Sequence, residues 1–221
     1  MTIRLREVSK HYQRDSETVR ALSGIDLTIA SGEFVAITGP SGSGKTTLAN
    51  LLSGLDSPTQ GTVQAGSTNL AAASDAALSR YRNQEVGFIF QSFNLLVHLN
   101  GLENVRLPLL LRGYSPAAAT TEAAAAIRAV GLWERRLHRP GQLSGGQQQR
   151  LAVARAVVGR PNLIIADEPT GNLDTASGRL VLKLLCDLHR AGKALVIITH
   201  DQAVANLAER IVTIVDGEIA S

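Results

Sequence analysis

The sequence predicts an α/β fold with a mostly parallel sheet, an N-terminal antiparallel β subdomain and an inserted helical subdomain. Three observations carry that reading. The nearly all-apolar runs Leu163-Ile164-Ile165-Ala166 and Leu195-Val196-Ile197-Ile198 suit strands covered on both faces, as in a parallel sheet. A helical pattern over Thr175–Arg190 separates them, giving the alternation of an α/β core. Between residues 92 and 159 strand signals disappear and helix signals take over. The expected division is one domain over 1–221, with 1–91 and 160–221 as the core with its β subdomain and 92–159 as the helical insert. A chain of 221 residues can bury a core of that size.

Taken in order, residues 3–8, 19–29 (broken at Ser23-Gly24) and 34–38 read as strands, with turns at Gly24 and Ser31-Gly32. A Gly-rich loop follows Thr38. It leads into a helix on which Leu48, Leu51 and Leu52 share one face and which Gly54 stops. Residues 62–64 and 86–90 are expected as short strands flanking a polar, Ala-rich segment around 70–82. Ser115-Pro116 supplies a cap and a first-turn proline for a helix over 117–130, ended by Gly131. A further helix begins near Gly145, carries Leu151, Ala154, Val157 and Val158, and ends at Gly159. Strands return at 163–166, 194–199 and 210–215, the last turning at Asp216-Gly217 into 218–220.

Composition excludes several classes. The net charge of +3, from 22 basic and 19 acidic residues, is interspersed, and no run of five like charges marks a nucleic-acid footprint. Cys186 is the one cysteine, so neither an intramolecular disulfide nor a cysteine metal cluster can form. Its apolar setting at 180–188 predicts a buried, inert thiol. The N-terminus lacks an apolar signal core, and no stretch approaches the ~18–20 apolar residues that span a bilayer. The expectation is a chain that stays in the cytoplasm and reaches a membrane through a partner.

Three segments carry chemistry. Gly39-Pro40-Ser41-Gly42-Ser43-Gly44-Lys45-Thr46 matches the phosphate-binding loop pattern, directly after a strand and before a helix. Its glycines allow a nest of backbone N–H groups beside the positive end of a helix. Lys45 can reach β- and γ-phosphates, and the Thr46 hydroxyl can ligate Mg²⁺. A chance Gly/Ser turn is the ordinary alternative, and the strand–loop–helix context argues against it. Leu163 to Glu168 reads as a buried strand delivering Asp167 to a metal, through water, while Glu168 can activate a water molecule. Leu143-Ser144-Gly145-Gly146-Gln147-Gln148-Gln149-Arg150 opens a second helix whose N-terminus suits an anion. One chain has one γ-phosphate to bind but two such helix starts. A symmetric dimer resolves this, each Ser144-Gly145-Gly146 capping the nucleotide on the other copy's loop.

With these segments in this order, the sequence resembles the ATP-binding subunits of ABC transporters over essentially its whole length. The further elements are Gln91 after the 86–90 strand, Gly171-Asn172-Leu173-Asp174, and His200 after the 194–199 strand. The resemblance implies the ABC ATPase fold, a P-loop NTPase core bound to ATP and Mg²⁺. It implies catalytic roles for Glu168, Lys45, His200, which would contact the γ-phosphate, and Gln91, which would sense Mg²⁺ and the attacking water, and a metal site of Thr46, Gln91 and Asp167. Tyr12 would stack on adenine, Thr47 would contact the α-phosphate, and Ser144 and Gly146, with Gly145 and Gln147 beside them, would bind γ-phosphate in trans. Asp174 would couple the two sites.

Gln91-Ser-Phe-Asn-Leu-Leu96, Leu102-Glu-Asn-Val105 and Leu107-Pro-Leu-Leu110 resemble one branch, that of the macrolide-efflux (MacB) and lipoprotein-release (LolD) ATPases, with the cell-division ATPase FtsE nearby. That implies a homodimer on the cytoplasmic face of a membrane, driving permease subunits with a large extracytoplasmic domain, and no nucleic acid. Val97-His98-Leu99-Asn100 departs from the branch's usual Pro-x-Leu-Thr-like wording. With its last hairpin so near Ser221, the expectation is a chain without the C-terminal regulatory domain of some importer ATPases. Two alternatives share the nucleotide chemistry: a mechanotransmitting ATPase of the FtsE kind without cargo, and an ABC-type ATPase acting on DNA or ribosomes. A P-loop kinase or GTPase would leave Leu143–Arg150 unexplained.

Overall fold

The computed structural model describes residues 1–14 and 17–220. Two sheets and a helical layer make up the fold. The first sheet is antiparallel, ordered β2-β1-β4-β5 from β1 (Ile3–Arg14), β2 (Glu17–Ile29), β4 (Gln60–Ala65) and β5 (Thr68–Asn69). The second is ordered β10-β9-β3-β8-β7-β6, from β3 (Phe34–Thr38), β6 (Val86–Ile89), β7 (Leu163–Asp167), β8 (Ala194–Ile198), β9 (Arg210–Val215) and β10 (Glu218–Ala220). All pairings in it are parallel except β9–β10. The apolar runs in β7 and β8 lie on adjacent interior strands, and every residue of β8 is buried.

Helices α1 (Lys45–Ser53) and α2 (Asp75–Glu85) belong to the core, where Leu48, Leu51, Leu52 and Tyr81 pack against both sheets. A separate apolar cluster joins α3 (Gly101–Leu111), α4 (Pro116–Ala129) and α5 (Gly145–Val157) through Val105, Leu109, Ala119, Ala123, Ile127 and Leu151. α6 (Thr175–Arg190) covers the other face of the parallel sheet, with Val181 and Leu185 against Phe34, Ile164 and Ile197. A short α7 (Gln202–Ala205) follows β8.

The observed elements correct the sequence reading at three places. β1 does not stop at residue 8 but runs on to Arg14, paired only with β2 beyond Ser9, and register shifts near Val8 and Lys10 bend it. β2 is not interrupted at Ser23-Gly24, because Gly24 adopts φ +58° within the strand. Part of the polar segment around 70–82 is the helix α2, which Ser74 caps by accepting from Ala77 N–H. Cys186 is half-buried, with burial pushing its thiol above the ordinary range. The departure at 97–100 has a structural sense: Asn100 caps α3 in a reciprocal box with Glu103. Asn104, fully buried, then fixes the 96–100 turn through Leu96 N–H, Leu96 O, Leu99 O and Asn100 O.

Candidate active site

The loop from Gly39 to Gly44 joins β3 to α1 at the C-terminal edge of the parallel strands, where ligands of open α/β sheets bind. Glycine is required at two of its positions. At Gly39 (φ +142°) a Cβ would lie 2.0 Å from Ile214 O, and at Gly44 (φ +103°) 2.3 Å from Ala21 O. Pro40, Ser41 and Gly42 form the exposed crest of the loop, and Ser43 is buried beneath it with its hydroxyl unpaired. Lys45 Nζ donates to Gly39 O (2.9 Å) and Pro40 O (2.6 Å), so the ammonium lies folded along the loop. Phosphate fits this cradle: α1 begins at Lys45 with no acidic residue in its first turn, and no side chain caps it.

Behind the loop the Thr46 hydroxyl donates to Asp167 Oδ2 at 3.1 Å. Burial, helped by the nearby Glu168 charge and opposed by Thr46, raises the Asp167 carboxyl above its ordinary range. Two hard oxygen donors at this spacing suit Mg²⁺, which favours carboxylate and hydroxyl oxygens and keeps several waters. When bound there, the ion would neutralise phosphate charge, with Thr46 and Asp167 as its protein anchors. Among the described residues, no cluster of three or more His, Cys, Asp or Glu side chains offers an all-protein metal cage.

Glu168 follows directly. Its amide still donates to Ile198 O (2.9 Å) at the end of the β7–β8 pairing, but its own φ is +45°. That left-handed conformation costs about 1–3 kcal/mol in a non-glycine residue. It turns the chain out of the strand, and Gly171 N–H closes the turn onto Glu168 O (3.1 Å). Glu168 Oε1 accepts from His200 N–H at 3.0 Å and lies 2.6 Å from His200 Nδ1. An ionised carboxylate only accepts, so it places the imidazole proton on Nδ1. Glu168 is well covered while His200 is largely exposed, their side chains being 16% and 74% accessible.

Gln91 stands beside this turn: its backbone oxygen accepts from Asn172 Nδ2 (3.2 Å), and a Cβ on Gly171 would lie 3.0 Å from Gln91 Nε2. Tyr12, on the edge sheet, donates to Asp56 Oδ2 (2.8 Å), and Asp56 also accepts from Lys10 Nζ (2.6 Å). Burial and the Asp56 contact raise the Tyr12 phenol, and a hydrogen bond with Thr47 on α1 opposes them. The Lys10 ammonium sits 4.9 Å from the Tyr12 ring centroid. Local sequence pattern does not single out Asp56 or Lys10, because an Asp after a helix stop looks like any turn residue.

The remaining predicted residues gather elsewhere. Ser144 caps α5 in a reciprocal box with Gln147, accepting from Gln147 N–H (3.3 Å) and donating its own N–H to Gln147 Oε1 (3.0 Å). A Cβ on Gly146 would collide with Ser177 Oγ at 2.3 Å, and one on Gly145 would meet Leu173 and Phe93. Asp174 caps α6 by accepting from Ser177 N–H (2.9 Å), and such bonds lower its carboxyl. The nearest neighbours of Gly145 and Gly146 are thus residues of the 172–177 stretch and Phe93, and none belongs to the loop at 39–46.

A family model described as ABC transporter matches residues 22–171. The chain belongs to the ABC transporter family. Within that family it is an ATP-binding subunit and an ATPase. It is similar to the uncharacterized ABC transporter ATP-binding protein YvrO of Bacillus subtilis, 46% identical, covering 97% of this chain and 94% of that one. The macrolide export ATP-binding/permease protein MacB of Hyphomonas neptunium is 48% identical over 99% of this chain. Only 34% of that longer protein is covered, so the chain spans about a third of it. Among solved structures, a post-hydrolysis dimer of the ATP-binding cassette MJ0796 bound to ADP and Pi superposes with a TM-score of 0.93 at 41% identity. That match covers 99% of this chain and 97% of the other. No helix among the described residues is long and apolar enough to cross a membrane.

Proposed function

We propose that two copies of this chain bind two ATP molecules between them and hydrolyse them to drive a membrane permease of the macrolide-export kind. One observation carries the reading most directly. The chain holds two phosphate-type helix starts, the uncapped α1 behind Gly39–Gly44 and the Ser144 start of α5, and the neighbours of one do not include the other. A head-to-head pair brings each α5 start to the nucleotide on the other copy's loop. The MJ0796 cassette, similar over nearly the whole chain, is itself described as dimeric.

In this reading the Gly39–Gly44 nest and α1 bind the phosphates, and Lys45 leaves the carbonyls of Gly39 and Pro40 to pair with the β- and γ-phosphates. Thr46 and Asp167 anchor Mg²⁺, Gln91 reaches the same region, and Thr47 contacts the α-phosphate. Tyr12 offers its ring to adenine. Glu168 takes a proton from the attacking water, and His200 holds the carboxylate in line. Ser144 and Gly146 of the other copy stabilise charge spreading on the transferred phosphoryl oxygens, while Asp174 ties the two sites together. A cavity of about 510 Å³ between α2, β6 and α3, with Phe90, Asn94, Leu96, Leu107, Pro108 and Leu111 in its walls, suits a short helix of the permease at the cytoplasmic membrane face.

The test is affinity purification of tagged Glu168→Gln chain from native membranes in mild detergent with ATP, followed by mass spectrometry. A co-purifying permease with a large extracytoplasmic domain is expected. Recovery of ribosomes, DNA or soluble proteins alone would overturn the transport reading and leave the ATPase chemistry standing.

A further inference from the structure

The geometry points to Gln149 as a positioning residue that holds the Glu168 turn to the α5 helix, which begins at Ser144; the proposal rests on the ATPase reading above. Gln149 is fully buried, five residues after the Ser144 cap. Its Nε2 donates to Pro169 O at 2.8 Å and, more weakly, to Phe90 O at 3.4 Å. Pro169 immediately follows Glu168, and Phe90 immediately precedes Gln91. One side chain therefore fastens the backbone beside the general base to the backbone beside the Mg²⁺-region glutamine.

The orientation of this amide is fixed by its surroundings. Reversed, Oε1 would press against two carbonyl oxygens, so the two donors of the amide must face Pro169 and Phe90. Oε1 then has no partner, although it is buried. A leucine of similar volume would remove the orphaned Oε1 but leave Pro169 O without its donor, so the glutamine is explained by the carbonyls it satisfies and not by packing alone. The amide supplies two donors to two segments that carry chemistry. Pro169 has no N–H of its own, and the residue it follows is held in the left-handed region at φ +45°. A donor on Pro169 O keeps that strained turn in one conformation.

α5 is the mechanical consequence. Its first turn is the part that meets the partner's nucleotide, and its second turn carries Gln149. Movement of α5 on engaging the partner's γ-phosphate is thereby passed to Glu168 of its own copy, joining the state of one site to the base of the other.

The experiment is MgATP turnover by the purified chain with Gln149→Leu, alone and combined with Glu168→Gln, together with ATP affinity and Tm for each variant. The expected result is a fall of at least about tenfold in kcat per folded chain with KM and ATP affinity held, beyond any modest fall in Tm from the unpaired Pro169 O, since misplacement of a catalytic group by an ångström costs on the order of a hundredfold. In the Glu168→Gln background the same change removes nothing further, because it acts through Glu168. Where leucine lowers Tm, Gln149→Met, unbranched at Cγ as glutamine is, serves instead. Turnover within twofold of the parent chain, or loss that tracks loss of folded protein in both variants, overturns the proposal. Undiminished turnover by Glu168→Gln itself would instead overturn the parent reading.

Discussion

One carboxylate oxygen of Glu168 is shared by two groups of His200, the backbone N–H at 3.0 Å and Nδ1 at 2.6 Å. The backbone contact survives removal of the imidazole, so the two residues differ in how much their loss costs. Glu168→Gln is expected to lower ATP turnover by ~10²–10⁴-fold, the usual worth of a general base, and to accumulate an ATP-bound dimer. His200→Ala is expected to lower kcat by a smaller factor and to add little on top of Glu168→Gln, since part of its role passes through that carboxylate. Steady-state kinetics on the three variants decide this, and equal, multiplicative losses would contradict it.

Asp167 makes a stability–activity trade-off measurable. Burial raises its folded carboxyl above the ordinary value near 3.9, so between those two values the folded state holds a proton that the unfolded state has released. Stability therefore declines as pH rises through that window, and at neutral pH the ionised side chain is a net cost without a bound cation. Asp167→Asn keeps an acceptor for Thr46 and removes the charge. Its ligand-free Tm at pH 7 is expected to rise by a few degrees, since one kcal/mol moves a domain of this size by about 2–4 °C. The Mg²⁺-dependent part of the Tm shift with ATP is expected to vanish. Scanning fluorimetry with and without Mg²⁺ reads both, and a lowered ligand-free Tm would refute the sign.

Gly146 is proposed above as a phosphate contact in the partner's site, yet a Cβ on it would lie 2.3 Å from Ser177 Oγ and 2.5 Å from Ser177 Cβ. The first requirement for glycine here is close packing of α5 on α6. Gly146→Ala should cost about 1–3 kcal/mol through overpacking. Ser177→Gly takes away both colliding atoms, leaving Ser177 Cα at 3.7 Å, so the double variant should recover most of that loss. Denaturant melts of the four proteins form the cycle. Additive losses would mean that the clash is not the cause.

What the sequence made legible follows from periodicity and from contiguous motifs. β3, β9 and α6 were readable to their ends because apolar runs or a sharp cap at Asp174 mark them. β1 was cut short because Lys10, His11, Tyr12 and Gln13 show no alternation; that stretch pairs with a single neighbour and needs no buried face. α2 gives little helical signal because only Leu78 and Tyr81 of its eleven residues are buried. Among the candidate site residues, those of the loop at 39–46 are legible because they are contiguous in the sequence. Gln149 was visible only as one letter of a longer motif, since a partner at Pro169 is set by the packing of α5 on the sheet and not by local pattern. Asp56 was missed for the same reason, its partners Lys10 and Tyr12 lying more than forty residues earlier.

That Asp56 contact has its own pH signature. Burial alone would raise the carboxyl, but hydrogen bonds from Lys10, Tyr12 and Ser57 N–H outweigh it and hold the group below the ordinary carboxylate range. A depressed folded value means a contribution present in full above the unfolded value, about 3.9, and lost as pH falls through the folded one. The stability gap between the parent chain and Asp56→Asn should therefore be constant from pH 5 to 7 at about 1 kcal/mol or less, as for a partly exposed pair. It should close below pH ~3.9 and shrink in high salt. Function should respond differently from stability. Asparagine offers one acceptor oxygen where Asp56 uses two, so the Tyr12 hydroxyl or the Lys10 ammonium loses its side-chain partner, and Lys10 keeps only Ser57 O (2.8 Å) to hold it beside the ring. A platform free to shift binds adenine less well, so KM for ATP should rise several-fold while kcat stays put. Equal effects on both parameters would place Asp56 nearer the chemistry than its position beside Tyr12 allows.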